Sequence, residues 1–283
     1  MRPAFRVAGD AGDFVPTTDR FGVALADFER CGECGHLQLA LMPDVASLYE
    51  EAESEAYEAE EEGQRATARA NLERIERFAR GRLLDYGCWV GFLASEAGRR
   101  GWLVTGVEPS RWAAERARSR GVEVVEAPLL EAELPPGSFD AVTLGDVVEH
   151  FPDPGAALDR VASLLAPGGV VWIATPDAGS RLARVLGRRW WSVIPTHLHL
   201  FTRRSLARLL ERHGFELLAT GTSPKTFSVA YYLDRLGGYW PPLARVANAL
   251  ARALGVADRL WTPDFRDRFY VVARSRSGTP PRG

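Results

Sequence analysis

The chain lacks the features that mark disulfide-rich, membrane-spanning and secreted proteins. It has three cysteines in 283 residues, which is too few for a disulfide framework. No apolar run approaches the ~20 residues that a transmembrane helix needs. The N-terminus has no charged segment followed by an apolar one, as a secretory signal would. We therefore expect a cytoplasmic, reduced protein without a membrane span.

The chain also has little net charge and almost no lysine. The formal net charge is -2, so no overall field favours nucleic acid, and we expect no nucleic-acid partner. Lys225 is the only lysine, and GC-rich codon usage explains that bias. Arginines cluster at Arg181, Arg184, Arg188, Arg189, Arg203 and Arg204. Because the guanidinium group suits phosphate or carboxylate, this cluster could bind an acidic molecule, or it could simply form solvated helix faces. Both interpretations stay open.

Hydrophobic residues make up 46% of the chain, enough for one substantial core with smaller flanking segments. Glycine, proline and cysteine punctuate residues 1–48, which we expect to be irregular. Residues 49–80 are acidic and then amphipathic, which predicts a helical linker or lid. Residues 275–283 are rich in Gly, Pro, Ser and Arg and predict a disordered tail.

Residues 81–222 alternate between strand and helix patterns, as in a parallel sheet with helices on both faces. The first strands are predicted at 82–85, 103–107, 122–126, 141–144 and 170–174, and the helices at 91–100, 111–120 and 155–165, the last ended by Gly168-Gly169. Thr202 is expected to N-cap a helix over 203–213, which Gly214 closes before a strand at 215–220. An aromatic-rich helical insert (223–267), forming an acceptor pocket or a dimer face, precedes a final strand at 268–274.

The first strand ends in the motif Asp85-x-Gly87-x-x-x-Gly91, and the second ends in Glu108. Glycines let a backbone approach a ligand closely, and an acid about twenty residues on can accept hydrogen bonds from both ribose hydroxyls. The spacing is not the Gly-x-Gly-x-x-Gly of a dinucleotide site. It therefore favours S-adenosylmethionine, which has no pyrophosphate to bind.

Further motifs follow in order: Phe139-Asp140, Glu149-His150-Phe151-Pro152-Asp153-Pro154, Leu165-Ala166-Pro167-Gly168-Gly169 and His197-Leu198-His199-Leu200-Phe201-Thr202. Together with the glycine turn, they resemble the class I S-adenosylmethionine-dependent methyltransferases, closest to the type 11/type 23 small-molecule branch. The resemblance implies a Rossmann-like, doubly wound α/β fold. Its seven-stranded sheet would have the order 3-2-1-4-5-7-6, with strand 7 antiparallel.

The resemblance also implies roles for the strand-end residues. Asp85 would lie near the amino-acid end of the cofactor, and Glu108 would bind the ribose diol. Pro128 stands where the family usually has an acid, so apolar contacts and backbone groups would hold the adenine. Ser110 either contacts the cofactor or caps the next helix. The predicted cofactor residues are Asp85, Gly87, Cys88, Gly91, Glu108, Pro109, Ser110, Leu129 and Asp146.

Methyl transfer needs alignment and, for some acceptors, a general base. His150 follows the fourth strand and is one candidate base. His197 and His199 lie in the connection after the fifth strand. Because alternate residues of an extended segment face opposite ways, we expect one of these two to face the pocket. A structural role is the alternative for each histidine.

No metal site is predicted. His197 and His199 have no third ligand visible nearby in the sequence. The segment Cys31-Gly32-Glu33-Cys34-Gly35 has the shape of half a zinc knuckle, but a structural site needs four ligands and there is no second Cys-x-x-Cys. We expect a zinc-free remnant that packs as a turn.

The sequence thus predicts a methyltransferase that converts S-adenosylmethionine to S-adenosylhomocysteine. The acceptor would be a small molecule such as a sugar, a natural product or a lipid-like metabolite. Two alternatives stay open: a non-catalytic scaffold that binds S-adenosylmethionine, and a nicotinamide oxidoreductase. Whether the chain forms a homodimer is open as well.

Overall fold

The chain begins with short strands and helices that precede the regular core. The computed structural model describes residues 1–9, 21–43, 45, 49–50, 52 and 54–276. The first elements are β1 (Arg2–Phe5), β2 (Phe28–Arg30), β3 (Leu37–Leu39), α1 (Glu55–Glu58) and α2 (Glu61–Ile75). Helix α2 is the predicted amphipathic helix, and it buries Leu72 and Ile75 against the central sheet.

The core alternates strands and helices as predicted, with ends that shift by a few residues. Its elements are β4 (Arg82–Tyr86), α3 (Phe92–Arg99), β5 (Leu103–Glu108), α4 (Arg111–Ser119), β6 (Glu123–Glu126), β7 (Phe139–Gly145), α5 (Pro154–Leu164) and β8 (Leu165–Pro176). One boundary prediction is wrong. Helix α5 ends at Leu164, and Gly168-Gly169 lies inside β8, where Gly168 has a φ of +80°.

The second half completes the sheet. Its elements are α6 (Arg181–Leu186), β9 (His199–Leu200), α7 (Arg203–Arg212), β10 (Phe215–Thr222), β11 (Phe227–Ser228), α8 (Val229–Arg235), α9 (Pro241–Ala253), β12 (Leu260–Trp261) and β13 (Arg268–Ser275). The predicted cap of α7 is confirmed, because the Thr202 side chain accepts a hydrogen bond from the Ser205 N–H. Gly214 follows the helix with a φ of +77°.

The seven strands pair in the order β6-β5-β4-β7-β8-β13-β10. With strands counted along the core this is 3-2-1-4-5-7-6, and β13 runs antiparallel to both of its neighbours. The predicted topology is therefore confirmed. The chain leaves β4 towards β5 on one side and returns to β7 on the other, and ligands of open α/β sheets bind at such a switch point.

Two segments differ from the sequence prediction. The N-terminal segment, expected to be irregular, contributes β1, β2 and β3 to a small sheet that β9 completes in the order β1-β2-β3-β9. The insert, expected to be helical, is framed by the paired strands β11 and β12. The predicted disordered tail lies outside the described residues from 277 onward. Within the described part of the chain, every helix falls short of the length or the apolar character that crossing a bilayer requires.

Candidate active site

The turn after β4 opens the crevice at the switch point. Gly87 has a φ of +85°, and a Cβ there would lie 2.6 Å from Val147 Cγ2, so only glycine fits without strain. The N–H groups of Gly87 and Cys88 donate to the Val107 carbonyl at 2.9 and 3.0 Å. These bonds tie the turn to the end of β5, beside Glu108.

The second glycine and the cysteine of the motif pack the turn against its neighbours. Gly91 has a φ of +81°, and a Cβ there would lie 2.8 Å from Ala117 Cβ, so this glycine lets the start of α3 approach α4. Cys88 packs on Gly106, where a Cβ would lie 2.6 Å from its Sγ. Burial, followed by the charges of Asp85 and Glu108, raises the pKa of the Cys88 thiol, which therefore stays protonated.

The two predicted acids lie buried at the ends of adjacent parallel strands. Asp85 accepts a hydrogen bond from Thr143 Oγ1 at 2.7 Å, and burial raises the pKa of its carboxyl to about 6. Glu108 accepts from the N–H groups of Trp89 at 2.8 Å and Ser110 at 2.9 Å. Burial still raises the pKa of Glu108 to about 7. Each carboxylate keeps lone pairs that can accept further hydrogen bonds.

The other predicted cofactor residues divide between the cavity wall and the core. Pro109, Leu129 and Asp146 line a cavity of about 890 Å³ together with Gly87 and Glu108. Asp85 and Cys88 line a smaller adjoining cavity of about 100 Å³. Ser110 is fully buried. Its Oγ accepts from the Ala113 N–H at 3.1 Å and donates to the Ala52 carbonyl at 2.8 Å, so Ser110 caps α4.

Asp146 joins two cations that the sequence prediction missed. It follows β7 with a φ of +60°, and its carboxylate lies 2.6 Å from Lys225 Nζ and bonds Arg268 Nη2. Burial alone would raise the pKa of Asp146, but the charges of Arg268 and Lys225 outweigh it and hold that pKa well below its usual range. All three residues line both cavities.

One signal could have found Lys225, because it is the only lysine in the chain. Arg268 carries no such signal, since its local pattern resembles that of many other arginines.

His150 and His197 both line the larger cavity, with ring centroids 5.0 Å apart. His150 Nδ1 lies 2.7 Å from the Thr196 carbonyl and 2.8 Å from Tyr49 Oη, while His197 Nδ1 lies 2.8 Å from the Ser192 carbonyl. A carbonyl can only accept, so each Nδ1 carries the hydrogen and each Nε2 keeps a lone pair. Burial lowers the pKa of His150 to about 4 and that of His197 to about 3, so both rings are neutral.

His199 lies elsewhere. It belongs to β9 of the small sheet, where its Nδ1 is 3.1 Å from His36 Nε2, and it is not part of the cavity wall. Only one of the two alternate histidines therefore faces the cavity, as the extended pattern predicts. His199 therefore lies apart from the cavity that His150 and His197 line.

A third potential ligand does accompany His197, contrary to the sequence expectation. Glu149, His150 and His197 each offer one ligand atom, and these atoms all lie within 4.8 Å of one another. Burial, followed by the charge of Asp146, raises the pKa of Glu149 to about 8. Neutral imidazoles whose other N–H is held by a backbone carbonyl are suited to bind a divalent cation. The group could therefore hold a metal ion.

The N-terminal cysteines have no such partners in the described part of the chain. Cys31 and Cys34 are free and half-buried, in the turn between β2 and β3. Thr202 Oγ1 donates to the Cys34 carbonyl at 2.8 Å, which joins this turn to the N-cap of α7.

The insert forms the apolar wall of the larger cavity. Its contribution is mainly aromatic, and the residues are Phe227, Tyr231, Tyr232, Tyr239, Trp261 and Phe265. A cavity of this size suits a small molecule, and the polar groups in its lining would orient that molecule.

Comparisons with known proteins agree with this geometry. A family model described as a methyltransferase domain matches residues 59–220. The ubiquinone biosynthesis O-methyltransferase of Aeromonas salmonicida (strain A449) is 34% identical over 147 residues, covering 47% of this chain and 62% of that protein. Its counterpart in Caulobacter sp. (strain K31) is 40% identical over 118 residues, covering 37% of this chain and 47% of that protein. The chain thus matches only about half of the length of these relatives.

A solved structure supports the fold. The crystal structure of an S-adenosylmethionine-dependent methyltransferase from Archaeoglobus fulgidus superposes with a TM-score of 0.53, at 22% identity, covering 78% of this chain and 100% of that chain. At that identity the likeness concerns the fold alone.

Proposed function

This chain belongs to the methyltransferase-domain family, and on that premise we propose that it transfers a methyl group from S-adenosylmethionine to a small-molecule acceptor. One observation carries the proposal. Asp85 and Glu108 end adjacent parallel strands beside the positive-φ turn at Gly87, at the switch point of the sheet, and the crevice opens into a large apolar cavity.

In this proposal the cofactor lies across the carboxyl ends of β4 and β5. Glu108 accepts hydrogen bonds from the ribose diol, and Asp85 faces the amino-acid end. Gly87 lets the backbone approach, while Pro109 and Leu129 contact the adenine. The sulfonium is already an activated leaving group, so the protein chiefly aligns acceptor, methyl and sulfur. Such alignment contributes on the order of 7–11 kcal/mol.

His150 and His197 are the proposed proton acceptors, because their Nε2 lone pairs are available at the cavity wall. Their low pKa values, about 4 and about 3, keep them unprotonated at neutral pH. The same values make each a weak base. The acceptor should therefore have an acidic proton or none to lose.

The relatives are named O-methyltransferases, and we extend the proposal to an oxygen acceptor. Incubation with S-adenosylmethionine and a panel of phenols, carboxylic acids and amines should form S-adenosylhomocysteine only with oxygen nucleophiles. If the protein binds the cofactor but turns over none of these, the scaffold alternative holds instead.

Calorimetric titration tests the cofactor site. The parent should bind S-adenosylhomocysteine and not NAD. Glu108→Ala should lose at least about tenfold in affinity, since charge-assisted bonds are worth about 1.5–3 kcal/mol. Gly87→Val should also lose affinity, because a side chain at a φ of +85° is strained and would meet Val147. Glu123→Ala, on the exposed end of β6, is the matched control and should bind like the parent. Folded variants that bind as tightly as the parent would contradict the proposal.

We also propose a homodimer formed through α9. This helix buries the small face Ala244, Asn248 and Ala251, while its large apolar residues point outward. Leu243, Val246, Leu250 and Leu254 are 46%, 67%, 58% and 66% exposed. Because an apolar stripe on a helix is stabilised by covering it, a second copy is the proposed cover.

A further inference from the structure

The only lysine of the chain lies where the two cavities meet. Arginine supplies every other basic side chain among the 35 lysines and arginines, whereas Lys225 lies half-buried at the candidate active site. An ammonium is a compact charge with three donors, and it does not present the planar fork of a guanidinium. The one compact cation among the basic side chains therefore lies at this position.

Two cations share one carboxylate at this position. Among the described residues, Lys225 and Arg268 both form an ion pair with Asp146. One carboxylate therefore pairs with two cations that line the cavity.

Hydrogen-bond donors are in excess at this position. Among the described residues, Asp146 is the one side-chain partner of Lys225 Nζ, which has three donors. Arg268 Nε is buried and has no acceptor among the described residues. Partly buried cations with unused donors are stabilised by an anionic oxygen.

The cavity wall indicates where that oxygen comes from. Lys225 and Arg268 line the larger cavity together with Tyr231, Tyr232 and Phe265. A molecule that fills this space has an apolar or aromatic body and one anionic end. The cofactor's own carboxylate is the other possible source.

We propose that Lys225 and Arg268 bind an ionised oxygen of the acceptor, so that the substrate is an apolar or aromatic molecule with an acidic hydroxyl or carboxyl group. This inference rests on the proposed methyl transfer. The proton of the acceptor passes to solvent through the Nε2 lone pair of His150 or His197, while the two cations stabilise the oxygen anion. The oxygen anion then forms a bond to the methyl carbon while the C–S bond breaks. The electron pair of the C–S bond stays on sulfur, which becomes a neutral thioether.

A chromogenic phenol tests the inference without turnover. 4-Nitrophenol is titrated optically with pH, free and bound to the protein, with and without S-adenosylhomocysteine. The parent should lower the apparent pKa of the bound probe by about one unit or more, which is about a tenfold preference for the phenolate. Lys225→Met should lose this shift, and Lys225→Arg, which keeps the charge, should retain part of it. Arg204→Met, on an exposed residue of α7, is the matched control and should behave like the parent.

Three outcomes would overturn the inference. The first is an unshifted probe in the parent. The second is an equal shift in the apparent pKa of the probe in the parent and in Lys225→Met, when circular dichroism shows that both proteins are folded. The third is a loss of affinity in Lys225→Met for S-adenosylhomocysteine but not for 5′-methylthioadenosine, which lacks the carboxylate, because the cations would then hold the cofactor. Failure of the parent to bind S-adenosylhomocysteine contradicts the proposed function instead, and the probe titration without it still reports on the cations.

Discussion

At the scale of single residues, burial decides which protonation states the site can use. Glu108 accepts hydrogen bonds from two backbone N–H groups, which lower its pKa, but burial outweighs them and raises the pKa to about 7. Asp146 is half-buried, and the charges of two cations hold its pKa well below the usual range. The pKa values of these two acids therefore shift in opposite directions, because Asp146 has cationic partners and Glu108 accepts hydrogen bonds from backbone N–H groups.

The pKa of Glu108 predicts how cofactor binding depends on pH. Ribose hydroxyls donate to the ionised form, so binding lowers the pKa of Glu108 from about 7. Affinity for S-adenosylhomocysteine is then fully present above that pKa and falls, by up to about tenfold per pH unit, as pH drops below it. Asp85, with a pKa of about 6, adds to the loss only at more acidic pH.

Calorimetric titrations between about pH 8 and about pH 6 measure this dependence. Glu108→Gln should bind more weakly at the alkaline end and should lose most of the pH dependence. A parent affinity that stays constant over this range would show that Glu108 does not accept from the cofactor.

At the scale of elements, helix α2 contacts the insert closely near Gly63. A Cβ on Gly63 of α2 would lie 2.5 Å from the carbonyl oxygen of Thr226, just before β11. The Thr226 N–H also donates to Thr67 Oγ1 of the same helix at 2.8 Å. The helix and the first strand of the cavity wall thus touch backbone to backbone.

Because of this contact, we expect that replacing the helical glycine Gly63 by alanine destabilises the protein. Ala is ordinarily better than Gly inside a helix by about 1 kcal/mol. Gly63→Ala should nevertheless destabilise the protein by about 1–3 kcal/mol, because the new methyl overpacks against backbone. Gly98→Ala in α3 is the matched control, since a Cβ there meets nothing within 4 Å, and it should be neutral or stabilising. Urea unfolding measures both variants, and a stabilised Gly63→Ala would mean that α2 and β11 are not in contact.

The elements also show which predictions a sequence supports. The strands and helices of the core were predicted because their periods, caps and glycines are local signals, as at Thr202 and Gly214. Strands β1, β2 and β3 were missed because each has only three or four residues. Pairing with the distant β9 stabilises this sheet, and no local pattern reports such a pairing.

At the scale of the whole molecule, α9 presents its apolar stripe to solvent. The helix is held to α8 by a 2.7 Å hydrogen bond from Asn248 Nδ2 to Asp234 Oδ1 and by small buried residues. Its larger side chains therefore contribute little to the stability of the monomer. Their contribution depends on what covers them.

The proposed homodimer gives this face a measurable consequence. Leu250→Glu should convert the dimer to a monomer in light scattering, because it places a charge in the apolar interface. The free energy of unfolding of the monomer should change by no more than about 0.5 kcal/mol, since Leu250 is exposed there. Arg252→Glu, on an exposed residue of the same helix, controls for the added charge. A parent that is monomeric at all accessible concentrations would contradict the dimer.

The sequence by itself determined the order of strands and helices, the glycine turn and the two strand-end acids, because these depend on residues near one another in the chain. Only the tertiary structure decided the rest of the site. Asp146, Lys225 and Arg268 come from three separate segments, and neither their ion pairs nor their burial leaves a local pattern. Tertiary packing likewise places His197 in the cavity lining and His199 in the small sheet. The charge, desolvation and shape of the site depend on contacts between residues that are distant in the sequence, and only the tertiary structure determines those contacts.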